Sequence, residues 1–276
     1  FGGGPGGFEF NFGGGGGGGH GQQPRAEELF PVKGGPVARL GAQKFPDNKS
    51  KNIWIVVFYD NESQACQRVK ASVEKLADGL KGTIKVGAVN CGSNAKQATF
   101  CEQRGVNEDD LPMFATVVDG EVQMYDDRGR IPSMKAIHEF AMEQLPYNLI
   151  KNVNSVKHIE DRVLSDESKI ASIVLLTDKY ETSPLYVSLA FSHRFDFNFG
   201  ESRAKNLALA KEFGVKKYPL LMALVRKNGG GFDTRRYEGS IKADQIGKWL
   251  DDLTKELKGG NKKGRSGSGR RSSRSK

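Results

Sequence analysis

Residues 55–70 read IVVFYDNESQACQRVK. With Ile53 and Trp54 in front, residues 53–59 (IWIVVFY) form an unbroken run of β-branched and aromatic side chains. Such a run predicts a strand buried on both faces. Past the polar Asp60, Asn61 and Glu62, apolar residues return at Val69, Val73, Leu76, Ala77 and Leu80, the spacing of one helix face. Gly79 and Gly82 punctuate its end. Working outward, residues 84–89 (IKVGAV) read as a second strand, and Ser93 is expected to cap a short helix that stops at Gly105. Leu111 and Pro112 open a third strand at 113–118. Asp119 and Gly120 supply a hairpin turn into 122–125. Residues 132–145 close the unit as a helix with Met134, Ile137, Phe140 and Ala141 on one side.

The same order then recurs. Residues 170–176 (IASIVLL) read as a buried strand, 185–192 as a helix, 195–199 as a strand and 203–213 as a helix ending at Gly214. Tyr218 and Pro219 open a strand at 220–225, Gly229 to Gly231 turn the chain into 234–237, and a last helix spans 243–257. Ile246, Trp249, Leu250, Leu253 and Leu257 mark its apolar face. Two copies of a βαβ unit followed by a ββα unit make an internal repeat of α/β class, each copy a central mixed sheet flanked by helices. The boundary falls just after Pro146.

The flanks differ from this body. Residues 1–23 hold thirteen glycines with Phe1, Phe8, Phe10 and Phe12 interleaved, which bury too little to offset chain entropy. Pro24, Pro31 and Pro36 follow. Residues 1–36 are therefore expected to be a disordered linker, 37–146 and 147–258 two folded domains, and 259–276 a disordered tail. The formal charge of +9 belongs mostly to that tail, which carries seven Lys and Arg and no acid. The folded part keeps a charge of about +3 and offers no basic stripe for nucleic acid. The longest runs of hydroxyl-free apolar side chains, such as 53–58 and 220–225, are six residues, against the roughly 20 of a membrane helix. Three cysteines are too few for a disulfide scaffold. The chain begins at Phe1 without a Met and shows no signal peptide, which reads as a processed product or a fragment.

Strand, helix, strand, helix, then a glycine-valine pair and a proline opening an antiparallel hairpin, then a helix, resembles the thioredoxin fold. Residues 55–70 are similar to the active-site strand and helix of protein disulfide isomerase relatives, and Gly87 to Cys91 (GAVNC) to their next strand. Residues 1–23 are similar to the linker that follows a J domain in DnaJ proteins. Residues 174–214 resemble the cysteine-free thioredoxin-like domain found beside catalytic ones. Taken together, the chain resembles the endoplasmic-reticulum J-domain/thioredoxin co-chaperones over all but its last eighteen residues.

The departures from that pattern bear on function. The family's nucleophilic cysteine, activated at an exposed helix N-terminus, is matched here by Ser63. The second cysteine is kept as Cys66. The resemblance places Val57 where disulfide isomerases have a proton-shuttling Glu. A hydroxyl cannot take part in thiol–disulfide exchange, and in the second repeat the equivalent Glu181, Thr182, Ser183 and Pro184 include no cysteine. The resemblance implies that the residue before a cis proline pairs with an extended substrate segment. Pro219 follows Gly214 by five residues and matches this position, with Tyr218 before it. Pro112, preceded by Leu111, follows Gly105 by seven, which leaves its isomer open. The two extra residues bring Glu108, Asp109 and Asp110, either an acidic rim beside a peptide groove or a solvated loop.

Cys91 and Cys101 are ten residues apart, close enough for a helix to fold back and join them in an oxidising lumen; the other reading is two small buried thiols. Cys66 is then the odd thiol. His20, His138, His158 and His193 share no metal-ligand spacing, and no phosphate-binding loop occurs, so neither metal nor cofactor is expected. No His-Pro-Asp triplet occurs, so a J domain would lie outside these residues. The expected function is a redox-inactive, non-enzymatic client-binding region of a J-domain co-chaperone. Its partners would be unfolded proteins and an ATP-dependent heat-shock chaperone reached through the J domain. The alternatives are a disulfide oxidoreductase acting through Cys66 and a nucleic-acid adaptor binding RNA or anionic surfaces through the tail. The expected compartment is the endoplasmic reticulum lumen, although the chain ends without a retrieval signal; the cytoplasm is the alternative.

Overall fold

The computed structural model describes residues 27–126, 130–227 and 229–263. The Gly/Phe-rich stretch 1–23 and most of the basic tail, residues 264–276, lie outside the described residues, so the readings placed on them stay expectations.

The first domain runs β1 (Ala38–Arg39), β2 (Trp54–Tyr59), α1 (Gln64–Gly79), β3 (Lys85–Asn90), α2 (Ala95–Glu102), β4 (Met113–Val118), β5 (Glu121–Met124) and α3 (Met134–Glu143). Its sheet order is β1-β3-β2-β4-β5, with β1, β3 and β2 parallel and the β4–β5 hairpin antiparallel. The central β2 is buried along almost its whole length, as its unbroken apolar run requires. The buried positions of α1 include Val69, Val73, Leu76 and Ala77, the face expected from the periodicity.

The second domain repeats the plan. A short turn, Tyr147–Leu149, leads into β6 (Ile150–Asn152) and α4 (Val156–Ile159), which widens into a π turn over Glu160–Leu164. There follow β7 (Ala171–Thr177), α5 (Pro184–Ser192), β8 (Phe197–Arg203), α6 (Leu207–Glu212), β9 (Leu220–Arg226), β10 (Phe232–Arg236) and α7 (Ala243–Lys263). The order β10-β9-β7-β8-β6 mirrors the first sheet. Two tandem thioredoxin-like domains, each a five-stranded mixed sheet flanked by helices, make up the folded chain.

Several boundaries differ from the sequence reading. The edge strands β1 and β6 and the helix α4 carry no readable period, because two to four residues are too short to show one. Residues 200–203, expected to lead into a helix, instead extend β8. That strand pairs with β7 from Ala171 opposite Phe197 to Thr177 opposite Arg203, and the ladder overrides the local preference of Gly200, Glu201 and Ser202. The cap of α2 is Asn94, whose side chain accepts from Gln97 N–H; Ser93 sits in the tight turn before it. Helix α7 reaches Lys263, five residues into the stretch assigned to the disordered tail. At the other end, Phe30 is buried in the first core, so the folded unit includes residues assigned to the linker.

Domain 1 rests on the flank formed by α5 and α7 of domain 2. Val187 and Phe191 of α5 join the first hydrophobic core. Ser192 Oγ donates to Lys51 O at 2.5 Å. Gly82 has a positive φ, and Ala243 Cβ lies 2.9 Å from where a side chain there would begin, so the approach of the domains needs this glycine. His193 is buried at the junction with its Nδ1 4.0 Å from Asp251. Burial, aided by the charge of Lys51, lowers its pKa, against the pull of Asp251 and Asp196. The imidazole therefore stays neutral in the folded chain while the unfolded chain takes up a proton near its ordinary pKa of about 6.5. Stability from this site is complete above that pH and is lost as the pH falls below it. We expect thermal melts of the chain to drop between pH 7 and pH 5, and to drop less in His193→Asn. Equal losses in both proteins would refute this.

Candidate functional site

In domain 1 the chain leaves β2 at Tyr59, turns through Asp60, Asn61 and Glu62, and enters α1. Ser63 is the N-cap: its Oγ accepts from Cys66 N–H at 3.4 Å, and its own N–H donates to Asp60 O at 3.3 Å. The place of an activated nucleophile at a helix N-terminus is thus taken by a half-buried hydroxyl serving the helix end. Cys66, one turn in, is wholly buried. Burial first, and then the Asp60 charge, push its thiol pKa up, only partly offset by hydrogen bonds from Ser63 and the backbone. The thiolate is disfavoured, the opposite of what exchange chemistry needs. Val57 stands fully buried on β2.

Strand β4 pairs with β2 so that Met113 lies opposite Phe58. This register brings Leu111 and Pro112 to the Tyr59 end of the sheet, the end at which Ser63 caps α1. The Leu111-Pro112 peptide is cis, and both residues are buried. Glu108–Asp110 form an exposed, tight acidic turn just before them. A strap at the start of the described chain crosses the same end. Phe30 packs edge-on against Tyr59 with ring centres 5.0 Å apart, and Leu29 N–H donates to Asn61 Oδ1 at 3.1 Å. The Glu28 carboxylate accepts from Tyr59 OH and from Asn90 Nδ2 (3.1 Å) and pairs with Arg39 at 2.8 Å. Burial, and then the hydrogen bond to Glu28, hold the Tyr59 phenol in its neutral form. No pattern in the sequence pointed to this strap, whose contacts join residues about thirty and sixty positions apart.

Cys91, at the end of β3, and Cys101, in α2, are joined by a disulfide with an S–S distance of 2.05 Å and a Cα–Cα distance of 5.9 Å. Cys66 is the free cysteine among the described residues.

Domain 2 presents the equivalent end with different chemistry. Ser183 precedes α5, whose first residue is Pro184. Three positions after Ser183, where Cys66 stands relative to Ser63, is Tyr186. Its ring is buried, and its hydroxyl donates to Gly200 O at 2.8 Å with Ile173 O at 3.2 Å. A pinned phenol therefore occupies the second-cysteine place. Beside it the buried Glu201 accepts from Thr182 Oγ1 at 2.6 Å and pairs with Arg203 at 3.0 Å. Sequence reasoning missed this network because the strand reads as ending at Phe199 and a helix as starting at Arg203, which leaves Glu201 in a connection. The Tyr218-Pro219 peptide is also cis, and it precedes β9, where Leu220 lies opposite Leu176. Tyr218 is half-buried and Pro219 exposed, unlike their covered counterparts in domain 1. The backbone N–H and C=O of Tyr218 take no hydrogen bond among the described residues. Among those residues no group of three or more His, Cys, Asp or Glu side chains could hold a metal ion, and no helix is long and apolar enough to cross a membrane.

No family model matches the chain. It is 28% identical over 208 residues to a protein of Dictyostelium discoideum named for protein disulfide-isomerase, an alignment covering 75% of this chain and 49% of that one. It is 24% identical over 218 residues to the DnaJ protein ERDJ3A of Oryza sativa subsp. japonica, covering 76% of this chain and 36% of that one. Among solved structures, full-length ERdj5 aligns with a TM-score of 0.34 at 19% identity over 77% of this chain and 30% of that chain. The chain spans about half the length of the disulfide-isomerase-type relatives it matches. It is a tandem thioredoxin-like region, similar in sequence to protein disulfide-isomerase-type proteins and to a DnaJ protein.

Proposed function

We propose that the chain is a redox-inactive, client-binding region of a J-domain co-chaperone that works in the endoplasmic reticulum lumen. The loss of dithiol chemistry rests on Ser63 and the buried Cys66 in one repeat and on Tyr186 in the other. The binding activity rests on the unpaired backbone of Tyr218. An exposed strand end with a free donor and acceptor is what an extended segment of unfolded protein can pair with. Leu111 and Pro112, their covered counterparts in domain 1, would take part once uncovered. A J domain elsewhere in the whole protein would pass the client to an ATP-dependent heat-shock chaperone.

Insulin reduction and client binding test the two halves together. The wild-type chain and Cys66→Ala are expected to leave insulin reduction at the rate of buffer. Ser63→Cys should gain measurable turnover because it restores a Cys-x-x-Cys pair at a helix N-terminus. Binding of a reduced, carboxymethylated client should weaken roughly tenfold in Tyr218→Pro, which deletes the free backbone N–H of the proposed pairing. Wild-type turnover that disappears in Cys66→Ala would establish an oxidoreductase instead. Client binding indifferent to Tyr218 would remove the proposed groove.

A further inference from the structure

A second surface of domain 1 lies between α1 and α3, on the flank of the sheet. The two helices enclose a groove of about 680 Å³. Its floor is apolar: Val69, Leu76 and Leu80 from the α1 side, and Met134 from α3. Its rim carries the cations Arg68, Lys75 and Lys135 beside His138, and no carboxylate among the described residues lines it. The acids of α1 fall on other faces, since Glu74 pairs with Lys70 at 2.5 Å and Asp78 lines a separate hollow. Arg68 and Lys75 have no carboxylate partner among the described residues. The Lys135–Glu139 pair, 3.7 Å apart with both side chains well exposed, neutralises little.

Domain 2 shows what this face of the fold can be used for. Helix α5 follows the central β7 as α1 follows β2, and α7 follows the hairpin as α3 does, so the α5–α7 flank is the counterpart of this groove. That flank holds a protein surface, the edge of domain 1. The signs of charge match across it: Asp244 and Asp251 belong to the flank, and Lys51, Lys81 and Lys85 to the incoming edge. On domain 1 the same flank is open and carries the opposite sign. A second copy of the chain cannot dock in the same way, because its lysine edge is already held by its own α5–α7 flank. The concave apolar floor suits the ridge of a protein segment better than a flat bilayer.

We propose that the α1–α3 groove docks an acidic protein segment with an apolar ridge, at a site separate from the client-binding end. The probe is a fluorescein-labelled 18-residue helical peptide with leucines along one face and glutamates on either side. Its anisotropy is followed with the full chain at low salt, beside a version with lysines for glutamates. We expect saturable binding of the acidic peptide and none of the basic one. The affinity should fall about tenfold or more in the double variant Arg68→Glu/Lys75→Glu, be weakened by Lys135→Glu, and be unchanged in Tyr218→Pro. All three replaced cations are exposed, and Lys135→Glu tests the groove from α3 without altering α1. The proposal is overturned if both groove variants bind as wild type, or if binding disappears when residues 264–276 are removed. It is also overturned if phosphatidylserine vesicles bind where the peptide does not.

Discussion

Replacing Arg194 by methionine is expected to uncouple the two domains. The guanidinium leaves the end of α5 and reaches into domain 1, where Nη1 donates to Ser50 O at 3.1 Å and Nη2 to Asn48 O at 3.0 Å. Nη2 also pairs with the Asp119 carboxylate at 2.8 Å, while Nη1 holds its own helix end at Phe191 O, 2.8 Å away. The cation lies between the rings of Phe191 and Phe195, 3.9 and 4.2 Å from their centres, and its side chain is only 10% exposed. Charge-assisted bonds of this kind contribute about 1.5–3 kcal/mol each, less where water can replace them, as it can at the exposed Asn48 and Asp119 but less readily at the half-buried Ser50. Three such bonds cross the boundary, one of them at a half-buried acceptor, so methionine, which keeps much of the volume and none of the donors, should cost about 2–3 kcal/mol of domain–domain free energy. Calorimetry should then separate one cooperative transition into two, and small-angle scattering should give a larger radius of gyration. Arg194→Lys, which can reach one acceptor but not three, should fall between. A single unshifted transition with an unchanged radius would refute the clasp.

The second large effect concerns the disulfide. Replacing Cys91 and Cys101 together by alanine should cost domain 1 about 2.5–3 kcal/mol, the chain-entropy value for a closed loop of about ten residues. Helix α2 is eight residues long and would be marginal by itself, so the bond also anchors it to the end of β3. Urea titration of the oxidised chain and of the double variant should show the difference as a lower midpoint. Coincident curves would show that packing alone holds α2. Cys66 is a control here. Its buried, protonated thiol should resist alkylation in the native chain and react only on unfolding, in both proteins.

Much of the fold is legible without coordinates because its signals are local. The run 53–59 is long enough, and apolar enough, to mean a doubly covered strand. The spacing of Val69, Val73 and Leu76 means a helix, and a recurring order of such pieces means a repeat. Where the signal fades, the structure shows the reason. Arg203 is the end of a strand rather than the start of a helix because a neighbour seven residues long pairs with every residue of it. Phe30 looked like part of a linker because its partner, Tyr59, is twenty-nine positions away.

The candidate site divides in the same way. That Ser63 replaces a cysteine, and that the second repeat has none, can be read from residue identity, and this bears most on what chemistry is lost. Only the tertiary structure decides that Cys91 and Cys101 are bonded while Cys66 is sealed, because ten residues of separation permit a bond without requiring one. Only it places Tyr186 as a plug, leaves Tyr218 with an unpaired backbone, and turns Arg194 into the clasp between domains. Each of these depends on the distance and direction between segments far apart in the chain, which packing sets and local pattern does not encode.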